Sequence, residues 1–78
     1  LNIHNRMTNM DPVSFIELLE DDGYKYYPPN QNDLGEGYIK FLPRSIEIYK
    51  KQDKEDYWLH TIYNENGAVM IKESIKCK

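Results

Sequence analysis

His60 and Glu73 are the two residues of this chain best suited to pass a proton between them. Imidazole titrates closer to neutrality than any other side chain, and a carboxylate beside it could poise it as a general base. Catalysis would also need a nucleophile or an electrophile, and the neighbours Trp58, Ile62 and Ile71 supply neither. The expectation is a hydrogen-bonded pair at the rim of a sheet, in a chain that is not an enzyme and has no catalytic residues.

Metal and phosphate chemistry find less support. His4, His60 and Cys77 lack ligand spacing. The stretch "NQNDLGEG" from Asn30 has the composition of a calcium loop, but no oxygen ligand stands at its fifth or twelfth position. "GEGY" lacks the lysine and the full glycine spacing of a phosphate loop. In "KKQDKED" three acids offset three lysines. Turns and a solvated loop are expected there, with no metal and no cofactor.

Binding chemistry is better represented. "EDDGYKYYPPNQNDLGEGY" runs acids into tyrosines, then into a Pro-Pro brace and a polar loop. Tyrosines are rigid amphipathic anchors, Pro28-Pro29 lowers the entropy lost on docking, and acids steer toward a basic partner. The partner-binding set read from this stretch is Glu20, Asp21, Asp22, Tyr24, Tyr26, Tyr27, Asp33 and Glu36, with one or two tyrosines packing inward. An alternative set, Tyr38, Lys40, Tyr49, Tyr57, Tyr63, Lys72 and Lys76, could stack bases and hold phosphates on an open sheet face. The acidic balance of the chain makes nucleic acid the less favoured partner.

These residues need a frame. "DPVSFIELLEDDG" predicts a helix, with Asp11 as N-cap, Pro12 in the first turn and Gly23 at the C-terminal end. Pro12, Phe15, Ile16 and Leu19 lie on one face, with Leu18 beside them, and that stripe is expected to lie on a sheet. Glu20, Asp21 and Asp22 sit at the end where the helix dipole disfavours negative charge. From Tyr38 the period becomes two: "YIKFL", "SIEIYK", "YWLHTIY" and "AVMIKESIK" predict strands, the last two joined at Asn66-Gly67. The fold class expected is α+β, one helix on a four-stranded antiparallel meander.

A two-residue turn at Asn66-Gly67 pairs Trp58 with Ile75, His60 with Glu73 and Ile62 with Ile71. That face, joined by Ile39, Phe41, Ile46 and Ile48, is expected under the helix. The opposite face would carry Tyr57, Leu59, Thr61 and Tyr63 against Lys76, Ser74, Lys72 and Met70, with Tyr38, Lys40 and Tyr49.

The whole chain, 1–78, reads as one small domain, with residues 1–10 as a disordered arm or an edge strand. Residues 1–6 precede "MTNMDP", which has the look of a natural start at Met7. Only 28 of the 78 residues are apolar or glycine, about 36% against the roughly 45–50% usual for globular domains. The seven tyrosines must supply part of the core. The lone cysteine suits a reducing, cytoplasmic setting, and no apolar run is long enough to span a membrane. Lys, Asn, Ile and Tyr supply 30 residues, all with AT-rich codons.

Charge is unevenly spread: residues 1–38 carry a net −5 and residues 39–78 a net +2, giving −3 overall. Such polarity orients a protein toward a charged partner, and the partner expected is a protein with a basic surface. Small acidic inhibitors of phages and mobile elements are comparable in size, charge and composition, though no motif is shared. The expected function is an inhibitor docking on a basic cleft of a nucleic-acid-handling or defence enzyme. An immunity protein or antitoxin that neutralises a nuclease toxin is a close variant.

Overall fold

The computed structural model describes residues 10–52 and 57–76. Residues 1–9, with the arm or edge strand expected there, lie outside the described residues, as does Cys77. Helix α1, Pro12–Asp21, begins as its caps dictate: the Asp11 carboxylate accepts from the Ser14 backbone N–H at 2.8 Å. That bond holds the Asp11 pKa below its ordinary value. Gly23, at a φ of 98°, turns the chain out of the helix, and the Tyr24 N–H bonds the Leu19 carbonyl at 2.9 Å. Positive φ carries little penalty only for glycine. Phe15 and Leu19 are the fully buried helix positions.

The fold is α+β, and the sheet has five strands, one more than expected. These are β1 (Lys25–Tyr27), β2 (Gly37–Leu42), β3 (Ser45–Lys51), β4 (Tyr57–Asn64) and β5 (Val69–Lys76), in the order β1-β2-β3-β4-β5, all antiparallel. The extra strand is three residues long, with Tyr26 opposite Tyr38 and Tyr27 opposite Gly37. A segment so short shows no alternation. Its pairing is fixed by β2, not by its own pattern.

The β4–β5 register follows the expectation through Tyr57↔Lys76, Trp58↔Ile75, His60↔Glu73 and Ile62↔Ile71. It then slips. Asn64 and Ala68 close a three-residue loop, with the Asn64 N–H on the Ala68 carbonyl at 2.9 Å and Gly67 at a φ of 84°. Tyr63 consequently pairs with Val69 instead of Met70, and a bulge lies beside Ile62.

The larger correction concerns the faces. Tyr26, Tyr38, Tyr49, His60 and Glu73 are aligned across the five strands, as are Lys40, Glu47, Ile62 and Ile71 across four. Trp58, with Lys51 and Ile75 as its partners, completes this face, and the helix packs on it. The core is Phe15, Leu19, Tyr24, Tyr49, Trp58 and Ile75. Its rings meet edge to face: Phe15 with Trp58 at 4.8 Å, Phe15 with Tyr49 at 5.6 Å and Tyr24 with Tyr49 at 5.2 Å between centroids.

Ile39, Phe41, Ile46 and Ile48 are therefore on the other side, aligned with Lys25, Thr61, Tyr63 and Lys72. Alternation decides which residues of a strand share a face, but not which face meets the helix. The register of β3 against β4 decides that, and the residue 52–56 connection leaves it open in sequence. Ile39 and Ile48 are still only 1% exposed each, so the far face has a small apolar layer of its own. The rings of Tyr27 and Phe41 meet at 6.0 Å, on either side of Ile39 in the register.

Candidate functional site

His60 lies on the helix face, 4% exposed, with its ring parallel to Tyr49 at 4.1 Å. Glu73 stands opposite it in the register, as expected. A second carboxylate, missed in sequence, is nearer the helix exit: Glu47 Oε1 is 3.4 Å from His60 Nε2 and accepts from the Tyr24 hydroxyl at 2.8 Å. Burial pushes the Tyr24 hydroxyl pKa well above its ordinary value, and the bond to Glu47 adds to the rise. Burial, then the Glu47 charge, does the same to Tyr49. The group is a polar network inside the core, joining the helix exit to β3 and β4. Its arrangement suits holding the fold in one register.

The tyrosine-rich stretch does not act as one surface. Tyr24, expected at the partner surface, is 6% exposed and belongs to the core. Tyr27 points to the far face, half-buried against Phe41, with the Lys25 ammonium 5.9 Å above its ring. Asp22 is 3.9 Å from Lys40, whose ammonium also lies 5.5 Å from the Tyr24 ring centre. That cation gives one of the three helix-end acids a local partner. Asp21 and Asp33 are exposed. In the loop before β2, Asn32 Oδ1 accepts from the Leu34 and Gly35 N–H groups at 2.7 and 3.0 Å, so "NQNDLGEG" is a turn.

Tyr26 is different. It is 41% exposed and sits on Tyr38 with ring centroids 5.2 Å apart. The Glu36 carboxylate, through a hydrogen-bonding interaction, raises the pKa of the Tyr26 hydroxyl. Tyr38 has its pKa raised by burial first, then by the charges of Glu20 and Glu36. Glu20 and Glu36, sixteen residues apart in sequence, thus act on one pair of aromatic rings. Beside these rings opens a cleft of about 200 Å³, walled by Pro12 and Ile16 of α1, Tyr26, Tyr38 and Trp58, with Glu36 and Lys51 among its lining residues. Pro12 and Ile16 of the helix stripe meet Trp58 on the sheet face expected beneath it, and Lys51 joins them through its pairing with Trp58 in the β3–β4 register.

The alternative nucleic-acid set is divided by the sheet. Tyr38, Lys40 and Tyr49 are on the helix face, with Tyr49 fully buried, while Tyr57, Tyr63, Lys72 and Lys76 are on the other. The far face nonetheless has a clear charge pattern. Four of the six strand lysines, Lys25, Lys50, Lys72 and Lys76, lie there by register, whereas both strand acids, Glu47 and Glu73, lie on the helix face. Among the described residues no three His, Cys, Asp or Glu side chains are grouped to hold a metal, and no helix is long and apolar enough to cross a membrane.

No protein-family model, curated protein or solved structure matches this chain, so its function rests on the geometry of its own surfaces.

Proposed function

We propose that this chain is a protein-binding module that docks its acidic-aromatic surface, centred on Tyr26 with Glu20 and Glu36, onto a basic surface of a partner protein. One observation carries the reading: an exposed tyrosine rests on a second ring beside an apolar cleft, with two carboxylates acting on the pair. Exposed aromatics backed by packed neighbours are the usual anchors of protein interfaces. Acids at the rim speed encounter with a basic partner. Basic clefts are what nucleic-acid-handling enzymes present to phosphates. The role that follows is inhibition by occupancy of such a cleft, as a phage or mobile element would use against a nuclease or defence enzyme.

Capture on the immobilised protein, repeated with Tyr26→Ala and with Glu20→Lys/Glu36→Lys, tests the reading. The expected result is a retained protein that both variants lose. A partner retained equally by both would remove this surface from the function.

A second reading has its own observation. The four lysines of the far face, without a strand acid beside them, suit single-stranded nucleic acid. That reading requires binding in the absence of any protein and a steep decline with salt.

A further inference from the structure

We propose that the cleft between α1 and the β1–β2 edge is a receptor for one arginine side chain of the partner, with its guanidinium against Tyr26 and Tyr38 and beside Glu36. The inference rests on the protein-docking reading and names the chemical group which that surface would recognise.

Size is the first constraint. A cleft of about 200 Å³ is smaller than the roughly 300–1,000 Å³ of small-molecule and cofactor sites, and suits a single side chain. Lining is the second. Pro12, Ile16 and Trp58 give apolar walls, and Tyr26 and Tyr38 give two rings in contact, inclined at 54° to each other. A long aliphatic stem can lie along such walls while its charged head remains at the opening. A planar guanidinium stacks on aromatic rings and is more weakly hydrated than an ammonium, so arginine suits the rings better than lysine.

Charge is the third. Glu36 lines the cleft, and the field of Glu20 reaches the Tyr38 hydroxyl. A purely apolar guest would shield Glu36 from water without supplying a countercharge, which is costly. Lys51 is the one cation in the lining, so it competes with an entering guanidinium for Glu36.

Blocked Gly-Arg-Gly, Gly-Lys-Gly and Gly-norleucine-Gly peptides, titrated at millimolar concentration and low salt, test the assignment. Trp58 is the only tryptophan, so its fluorescence and indole resonance report on this cleft. The arginine peptide is expected to give saturable shifts at Trp58, Tyr38 and Gly37, with the lysine peptide several-fold weaker and the norleucine peptide silent. Glu36→Gln should weaken the arginine peptide roughly tenfold, in line with the loss of a charge-assisted bond. Lys51→Gln, which removes the competing cation from the lining, should strengthen it. Equal binding of arginine and norleucine, no saturable shift, or indifference to Glu36→Gln would overturn the proposal. If the captured partner is still lost on Glu20→Lys/Glu36→Lys while the arginine peptide is silent, only the arginine assignment falls. If the partner ignores Tyr26→Ala as well as the charge reversals, the docking reading falls with it.

Discussion

The Tyr24 hydroxyl donates to Glu47 Oε1 at 2.8 Å, which ties the exit of α1 to β3 across 23 residues of chain. The same oxygen stands 3.4 Å from His60 Nε2. Replacing Glu47 with Ala leaves the buried Tyr24 hydroxyl without its acceptor, a loss of about 1–3 kcal/mol. Glu47→Gln keeps an acceptor and should cost less. Chemical denaturation measures both, and an Ala variant with the wild-type midpoint would show that the bond contributes nothing.

Alkaline pH should destabilise the protein. The hydroxyls of Tyr24 and Tyr49 have folded-state pKa values raised above 10.0, chiefly by burial. The unfolded chain therefore releases these protons first. Their contribution is fully present below pH 10 and is lost as pH rises beyond it. Circular dichroism followed from pH 8 to 12 should show stability falling above 10. Tyr24→Phe, with one titrating group fewer, should show a shallower fall.

Trp58→Ala should cost about 3–5 kcal/mol, since a large ring would be lost from a core of six buried side chains. Ile48→Asp should also be severe, although Ile48 faces away from the helix, because it is 1% exposed and a buried unpaired charge is costly. An Ile48→Asp variant as stable as wild type would mean that the far face has no core of its own.

Reversing Glu20 and Asp21 to lysine should leave the fold intact and lessen the clash with the helix dipole. Association with the captured partner should slow, because rim charges act on the encounter rate. Tyr26→Ala should instead speed dissociation. Surface plasmon resonance separates the two rates. A charge reversal that changes only dissociation would argue against steering.

Lys25→Glu, Lys50→Glu and Lys72→Glu together should leave partner capture unchanged. The same variant is the control for the second reading: single-stranded DNA bound by wild type, weakened by salt and lost in this variant, would move the function to the far face.

The helix could be read from its sequence because its signals are local. Asp11 caps it, Pro12 starts it, Gly23 ends it, and each acts within one turn. The pairing of β4 with β5 was legible for a similar reason, since a short loop fixes register to within a residue. It failed by one at Tyr63 because Gly67 in a three-residue loop adds a bulge where a two-residue turn would not. Strand β1 was not legible, because three residues cannot show a period.

Which tyrosines pack and which remain exposed was decided only in three dimensions. The composition required tyrosine in the core, and Tyr24 and Tyr49 are there, but nothing local to "YKYY" distinguishes Tyr24 from Tyr26 or Tyr27. Their fates follow from the direction in which Gly23 releases the chain and from the pleat that sends Tyr26 and Tyr27 to opposite faces. The face of β2 and β3 that meets the helix depends on the parity of the β3–β4 register. Sequence alternation is identical for both parities, and only packing of Phe15 and Leu19 against Tyr49 and Trp58 selects one. The acidic and aromatic character of the proposed docking surface is thus written in composition. Its location, where Tyr26, Glu36 and Trp58 line one cleft with Pro12 and Ile16, exists only because the helix packs on this face of the sheet.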